Sequence, residues 1–152
     1  MRIHIAADHA GFELRHHLIE HLERAGHDVV DHGYTEYDKA DAYPPVCFAA
    51  GEAVAAESGS LGIVIGGSGN GEQMAANKVR GVRAALVWNE STAELAREHN
   101  NANVISLGAR QHTVEEAIRF VDIFISTAYD EGSRHQSRIE MMSAYEDGQR
   151  GF

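Results

Sequence analysis

The strongest constraint in this chain lies near its centre. There the apolar run Leu61-Gly62-Ile63-Val64-Ile65 breaks into Gly66-Gly67-Ser68-Gly69-Asn70-Gly71-Glu72. The run has the length and β-branched content of a buried strand, and Gln73 to Lys78 beyond the loop reads as helix. Four glycines in six residues let the backbone turn tightly and let a ligand reach main-chain N–H groups. A helix start behind such a loop adds unpaired N–H donors and partial positive charge. That combination suits a phosphate, a carboxylate or an enolate-like oxyanion.

Two familiar phosphate loops are excluded. Gly66 and Gly71 have P-loop spacing, but Glu72-Gln73 stand where Lys and Ser/Thr are required. Gly67 and Gly69 begin a dinucleotide fingerprint, but Glu72 occupies the place of its third glycine. A carboxylate there repels a nucleotide's phosphates. It fits better as a base, with the loop donors holding the charge that the base creates. The alternative is a plain turn with an acid favourably placed in a helix's first turn.

Around this junction, apolar periodicity alternates between strand and helix. Arg2–Ala7, Asp28–Asp31, Leu61–Ile65, Val82–Trp88 and Asn103–Leu107 read as strands. Helices are expected from Gly11 to Gly26, from Val46 to Ser58, after Ser91, and from Val114 to Ile125, with a C-terminal helix from about 130 to 148. Ser91 with Glu94 and Thr113 with Glu116 are spaced as capping boxes. Ser133 and Gln136 open the last helix, with Ile139, Met142 and Tyr145 on its expected buried side. Five such alternations without a linker predict a doubly wound, Rossmann-like three-layer αβα sandwich on a five-stranded parallel sheet, residues 1–152 forming one domain. In that architecture ligands bind outside the carboxyl ends of the strands. Asp8-His9, the glycine loop and Gly108-Ala109-Arg110 lie there; His99-Asn100 instead closes a helix before strand five.

Composition narrows the partners. A net charge of −10 disfavours nucleic acid and anionic membranes, so an anionic substrate needs a local basic cluster. Arg134 and Arg138, i and i+4 with His135 between them, provide one; a solvated face paired with Glu131 or Glu140 is the other reading. Asp8 is either a functional carboxylate or the cap of the following helix. No run approaches the roughly 20 apolar residues of a membrane span, and Met1-Arg2-Ile3 enters a strand with no signal peptide, so a cytoplasmic setting is expected. His17-Leu18-Ile19-Glu20-His21 matches a zinc-peptidase pattern, but Leu18 and Ile19 belong to the helix's core face. No metal site is expected, and Cys47, the single cysteine, reads as a small buried residue.

Together, Asp8-His9-Ala10-Gly11, the loop Gly66–Gly71 leading to Ala75-Ala76-Asn77-Lys78, His99-Asn100-Asn101-Ala102 and Gly108-Ala109-Arg110 resemble ribose-5-phosphate isomerase type B and the related galactose-6-phosphate isomerase subunits. The resemblance runs from Met1 to about Tyr145. One branch of that family carries a cysteine base at the end of the third strand, where this chain has Gly66. A second branch has Gly-Gly-Ser-Gly-Asn-Gly-Glu, which this chain matches. The resemblance implies an aldose–ketose isomerase of the pentose phosphate pathway, interconverting D-ribose 5-phosphate and D-ribulose 5-phosphate through a cis-enediolate without a cofactor. It assigns the base to Glu72 and ring opening to His99 and Asp8. Ser68 and the N–H groups of Gly69 to Gly71 become the oxyanion hole, so Gly67, Ser68, Gly69, Asn70 and Gly71 all count as substrate-binding. Tyr43 and Asn100 contact the sugar; His9, Arg110, Arg134 and Arg138 face the phosphate. A homodimer or homotetramer with shared sites is implied, with no nucleic-acid or membrane partner. The same chemistry on a four- or six-carbon sugar phosphate, or a non-catalytic phosphosugar-binding module, remain open alternatives.

Overall fold

The computed structural model describes all 152 residues. Five strands, β1 (Arg2–Ala7), β2 (Asp28–Asp31), β3 (Leu61–Gly66), β4 (Ala84–Leu86) and β5 (Val104–Gly108), form one parallel sheet in the order β2-β1-β3-β5-β4. Six helices surround it: α1 (Phe12–Arg24), α2 (Tyr43–Ala56), α3 (Asn70–Ala76), α4 (Glu90–Glu98), α5 (Val114–Ser126) and α6 (His135–Glu146). Alternation along the strands splits the core in two. Ile3, Ile5, Ile63, Ile65, Ile105 and Leu107 face α1, α4 and α5, where Leu18, Leu22, Phe120 and Phe124 complete the larger cluster. Ala6, Val64, Ala84 and Val104 face α2 and α3, meeting Val46, Cys47, Ala50, Val54, Ala75 and Ala76. The expected three-layer αβα sandwich is the observed one.

Three local expectations are corrected. Strand β4 covers only Ala84–Leu86 rather than Val82–Trp88. It is an edge strand whose outer side is plugged. Asn77 donates its amide to the Ala84 carbonyl and accepts from the Ala84 N–H, both at 2.8 Å, so a side chain does the work of a sixth strand. Helix α4 is capped by Asn89, whose side chain accepts from Thr92 N–H at 2.8 Å, and not by Ser91 with Glu94. The helix thus starts a residue before Ser91. Helix α6 buries Ile139 alone of its expected face; Met142 and Tyr145 are 50% and 57% exposed. The Thr113–Glu116 box forms as expected.

Candidate active site

The C-terminal ends of β1 and β3 and the segment after β5 enclose a cleft of about 420 Å³ lined by Asp8, His9, Ala10, Tyr43, Gly67, Ser68, Gly71, Glu72, Arg110 and Gln111. Backbone bonds set its walls. The Ala109 and Arg110 N–H groups donate to the Gly66 and Gly67 carbonyls at 2.8 and 3.1 Å, continuing the β3–β5 ladder past the strands and swinging Arg110 over the loop. Gly69 turns the chain at φ 80°, a left-handed conformation that favours glycine. Buried Ser106 holds that turn, its hydroxyl donating to the Gly69 carbonyl at 2.6 Å. Helix α3 therefore starts at Asn70, not Gln73, and Glu72 lies in its first turn.

Glu72 is 4% exposed. Its carboxyl packs directly over Gly66, where a Cβ would collide with it. Burial raises its pKa; its own backbone N–H opposes the shift, and the charge of Asp8 adds to it. The start of α3 was expected to favour the ionised form, but removal from water outweighs it. Cys47, fully buried behind the site, has a thiol pushed up to about 12 by burial and then by the charges of Glu72 and Asp8.

Asp8 is a cap that also borders the cleft. Its Oδ1 accepts from the Ala10 and Gly11 N–H groups at 2.9 and 3.3 Å, capping the 3-10 turn His9–Gly11, while the residue still lines the cleft. The Tyr43 ring lies against Gly71, where a Cβ would come within 2.7 Å of the phenol oxygen. Asp41, absent from the sequence-based set, accepts from both the backbone and ring N–H of His9. Nothing in the primary structure separates it from Asp38, three residues earlier in the same polar loop.

Six of the expected residues fall outside this cleft. Gly69 is buried under the loop, and Asn70 turns away, its amide donating to Ser68 Oγ at 3.3 Å beside a separate cavity with Leu86, Trp88 and His112. His99, Asn100, Arg134 and Arg138 gather instead past the C-terminus of α4, which precedes β5, at the opposite end of the sheet. There His99 stacks on His135 with ring centroids 4.0 Å apart and planes 12° off parallel. Arg138 Nη1 lies 3.5 Å from His135 Nδ1. Desolvation, then the charges of His99, Arg134 and Arg138, lowers the His135 pKa. Asn100 lines a cavity of about 340 Å³ with Arg83, Met142 and Glu146. Arg83 donates to the Asn100 and Asn101 carbonyls at 3.2 and 3.1 Å, and Arg97 to the Ala102 carbonyl at 2.7 Å, so two guanidiniums brace this turn.

One trio of possible metal ligands, Asp8, His9 and Asp41, lies within 4.8 Å, at the same cleft. The zinc-peptidase spacing brings no such cluster: His17 is exposed and His21 bonds Asp122 at 2.7 Å. No helix is long and apolar enough to cross a membrane.

Known proteins share this sequence pattern and fold. The family model for Ribose/Galactose Isomerase matches residues 3–142. A protein named ribose-5-phosphate isomerase B from Mycobacterium tuberculosis is 54% identical over 146 residues, covering 96% of this chain and 90% of its own. Its namesake from Escherichia coli is 38% identical over 145 residues, covering 95% and 96%. The crystal structure of ribose-5-phosphate isomerase B from Mycoplasma genitalium, with bound ribulose-5-phosphate, superimposes with a TM-score of 0.93 at 46% identity over 97% of each chain.

Proposed function

The chain belongs to the ribose/galactose isomerase family, and from that premise we propose that it interconverts D-ribose 5-phosphate and D-ribulose 5-phosphate by proton transfer through a cis-enediolate. One observation carries the chemistry: the buried Glu72 carboxyl shares a cleft with the glycine loop, Asp8 and Arg110. A base must sit beside donors that can hold the charge it generates.

In this reading His99 donates a proton to the ring oxygen while Asp8 accepts one from the anomeric hydroxyl, and the sugar opens. Glu72 then takes the C2 proton; the C–H electrons form the C1–C2 double bond and the aldehyde oxygen takes the charge. Ser68 and the N–H groups of Gly69 to Gly71 stabilise that oxygen. The hydroxyl proton moves from O2 to O1, and Glu72 returns its proton to C1, leaving the ketose. Tyr43 and Asn100 hold the sugar; His9, Arg110, Arg134 and Arg138 hold the phosphate. No step calls for a metal or organic cofactor.

The division of these residues between two ends of the sheet supports a homo-oligomer in which a second copy brings His99, Asn100, Arg134 and Arg138 to the cleft of the first. The exposed Met141, Met142 and Tyr145 on α6 support the same assembly, since apolar side chains at 50–57% exposure gain by burial against a partner. A cytoplasmic setting and a place in the pentose phosphate pathway belong to the proposal. Incubation with ribose 5-phosphate in deuterated water should wash deuterium into the sugar at C1 and C2. A binding module exchanges nothing, and a ranking of kcat/KM over four-, five- and six-carbon aldose phosphates fixes the substrate.

A further inference from the structure

His9 presents its two ring nitrogens to different surroundings. Nδ1 lies 2.9 Å from Asp41 Oδ1, and the same oxygen accepts the His9 backbone N–H at 3.1 Å. Asp8 Oδ2 is farther, 3.8 Å from Nδ1. The Asp41 side chain is only 6% exposed, against 23% for His9. An ionised carboxylate only accepts hydrogen bonds, so the proton shared in this contact belongs to Nδ1. Nε2, on the far side of the ring, is left without a protein partner in a residue that lines the cleft.

Asp41 is itself fixed. It sits in the loop between β2 and α2, where the Tyr34 hydroxyl donates to the Ala42 carbonyl at 2.9 Å. The Tyr34 carbonyl accepts from Arg15 Nη2 at 2.7 Å. Arg15, on α1, is 1% exposed, and its guanidinium fills the space where a side chain on Gly33 would project. A buried cation thus anchors the loop whose last acidic residue grips His9.

We propose that Asp41 is the positioning residue of His9: it fixes the imidazole plane and keeps the proton on Nδ1, so that Nε2 meets the substrate's phosphate. This rests on the reading of His9 as a phosphate contact. Asp41 itself touches no substrate and acts only through the ring.

The test combines ring-nitrogen NMR with kinetics. At a pH where the imidazole is neutral, the His9 signals of ¹⁵N-labelled protein, identified by their loss in His9→Gln, should report a proton on Nδ1. Asp41→Ala should abolish that bias and raise KM for ribose 5-phosphate roughly 10- to 100-fold, with kcat changed far less. Asp41→Asn keeps an oxygen acceptor and should recover most of both. The double variant Asp41→Ala/His9→Gln should be no worse than His9→Gln alone, because both act on one contact. A proton on Nε2 in the wild type, an unchanged tautomer in Asp41→Ala, or additive losses in the double variant would overturn the proposal. A normal KM in His9→Gln would instead remove His9 from the phosphate site, and the tautomer measurement would still decide whether Asp41 positions the ring.

Discussion

Among single residues, Glu72 carries the sharpest consequences. Its raised pKa means that the basic form is lost, as pH falls, above the ordinary glutamate range, so the acid limb of kcat/KM should lie higher than an exposed glutamate would place it. The same shift bears on stability. A carboxyl whose pKa is higher in the folded than in the unfolded chain contributes fully below the unfolded value, and that contribution is lost as pH rises through the folded value. Above that folded value the ionised Glu72 therefore works against the fold. Glu72→Gln should lose about 10²–10⁴-fold in kcat, bind substrate nearly as before, and show a higher Tm than wild type at neutral pH, the gap closing on acidification. Cys47→Ser should stay active, because a thiol pushed to about 12 supplies almost no thiolate. Steady-state kinetics with thermal melts at two pH values check both variants. That Glu72 is the candidate base was legible in the loop's order of residues. Its protonation bias was not, because burial is a property of the packed core. Asp41 was not legible either, since only the folded loop brings it back across 32 residues to His9.

At the scale of elements, strands and helices were legible wherever apolar periodicity is strong, as in β1, β3, β5 and α5. Misreadings cluster at ends, where one hydrogen bond decides the boundary. Ser91 and Glu94 have the spacing of a capping box, yet Asn89 takes the role, with Thr92 answering it. Asn89→Ala should cost about 1 kcal/mol of stability, whereas Ser91→Ala, exposed within the helix's first turn, should stay within about 0.5 kcal/mol. Denaturant titration of the two variants separates the caps. Strand β4 shows the same limit from another side: Asn77 supplies its outer hydrogen bonds, a pairing that no strand propensity reports.

For the whole molecule, the sheet order β2-β1-β3-β5-β4 accounts for what alternation could predict and what it could not. Alternation gives a parallel sheet with ligands at its carboxyl edge, and Asp8, His9, Tyr43, Ser68, Glu72 and Arg110 are all found there. It says nothing of where the remaining expected residues fall. His99, Asn100, Arg134 and Arg138 lie at the other edge, so within one chain the expected set is split between two places. Mixing inactive Glu72→Gln with inactive His99→Ala after reversible dissociation tests the union. If each site draws on both subunits of a two-fold dimer, random reassociation restores about a quarter of wild-type activity. If each protomer holds a complete site, the mixture stays inactive. The exposed apolar residues of α6 make sense on the same scale: a helix with one buried position, Ile139, is only half-packed by its own chain.

The contact between Glu72 and Gly66 also couples two positions that lie on different elements. The carboxyl fills the space that a side chain at position 66 would need. Any residue introduced at the end of β3 must therefore push the carboxyl away from its place in the cleft, and what position 66 can accept depends on what position 72 carries.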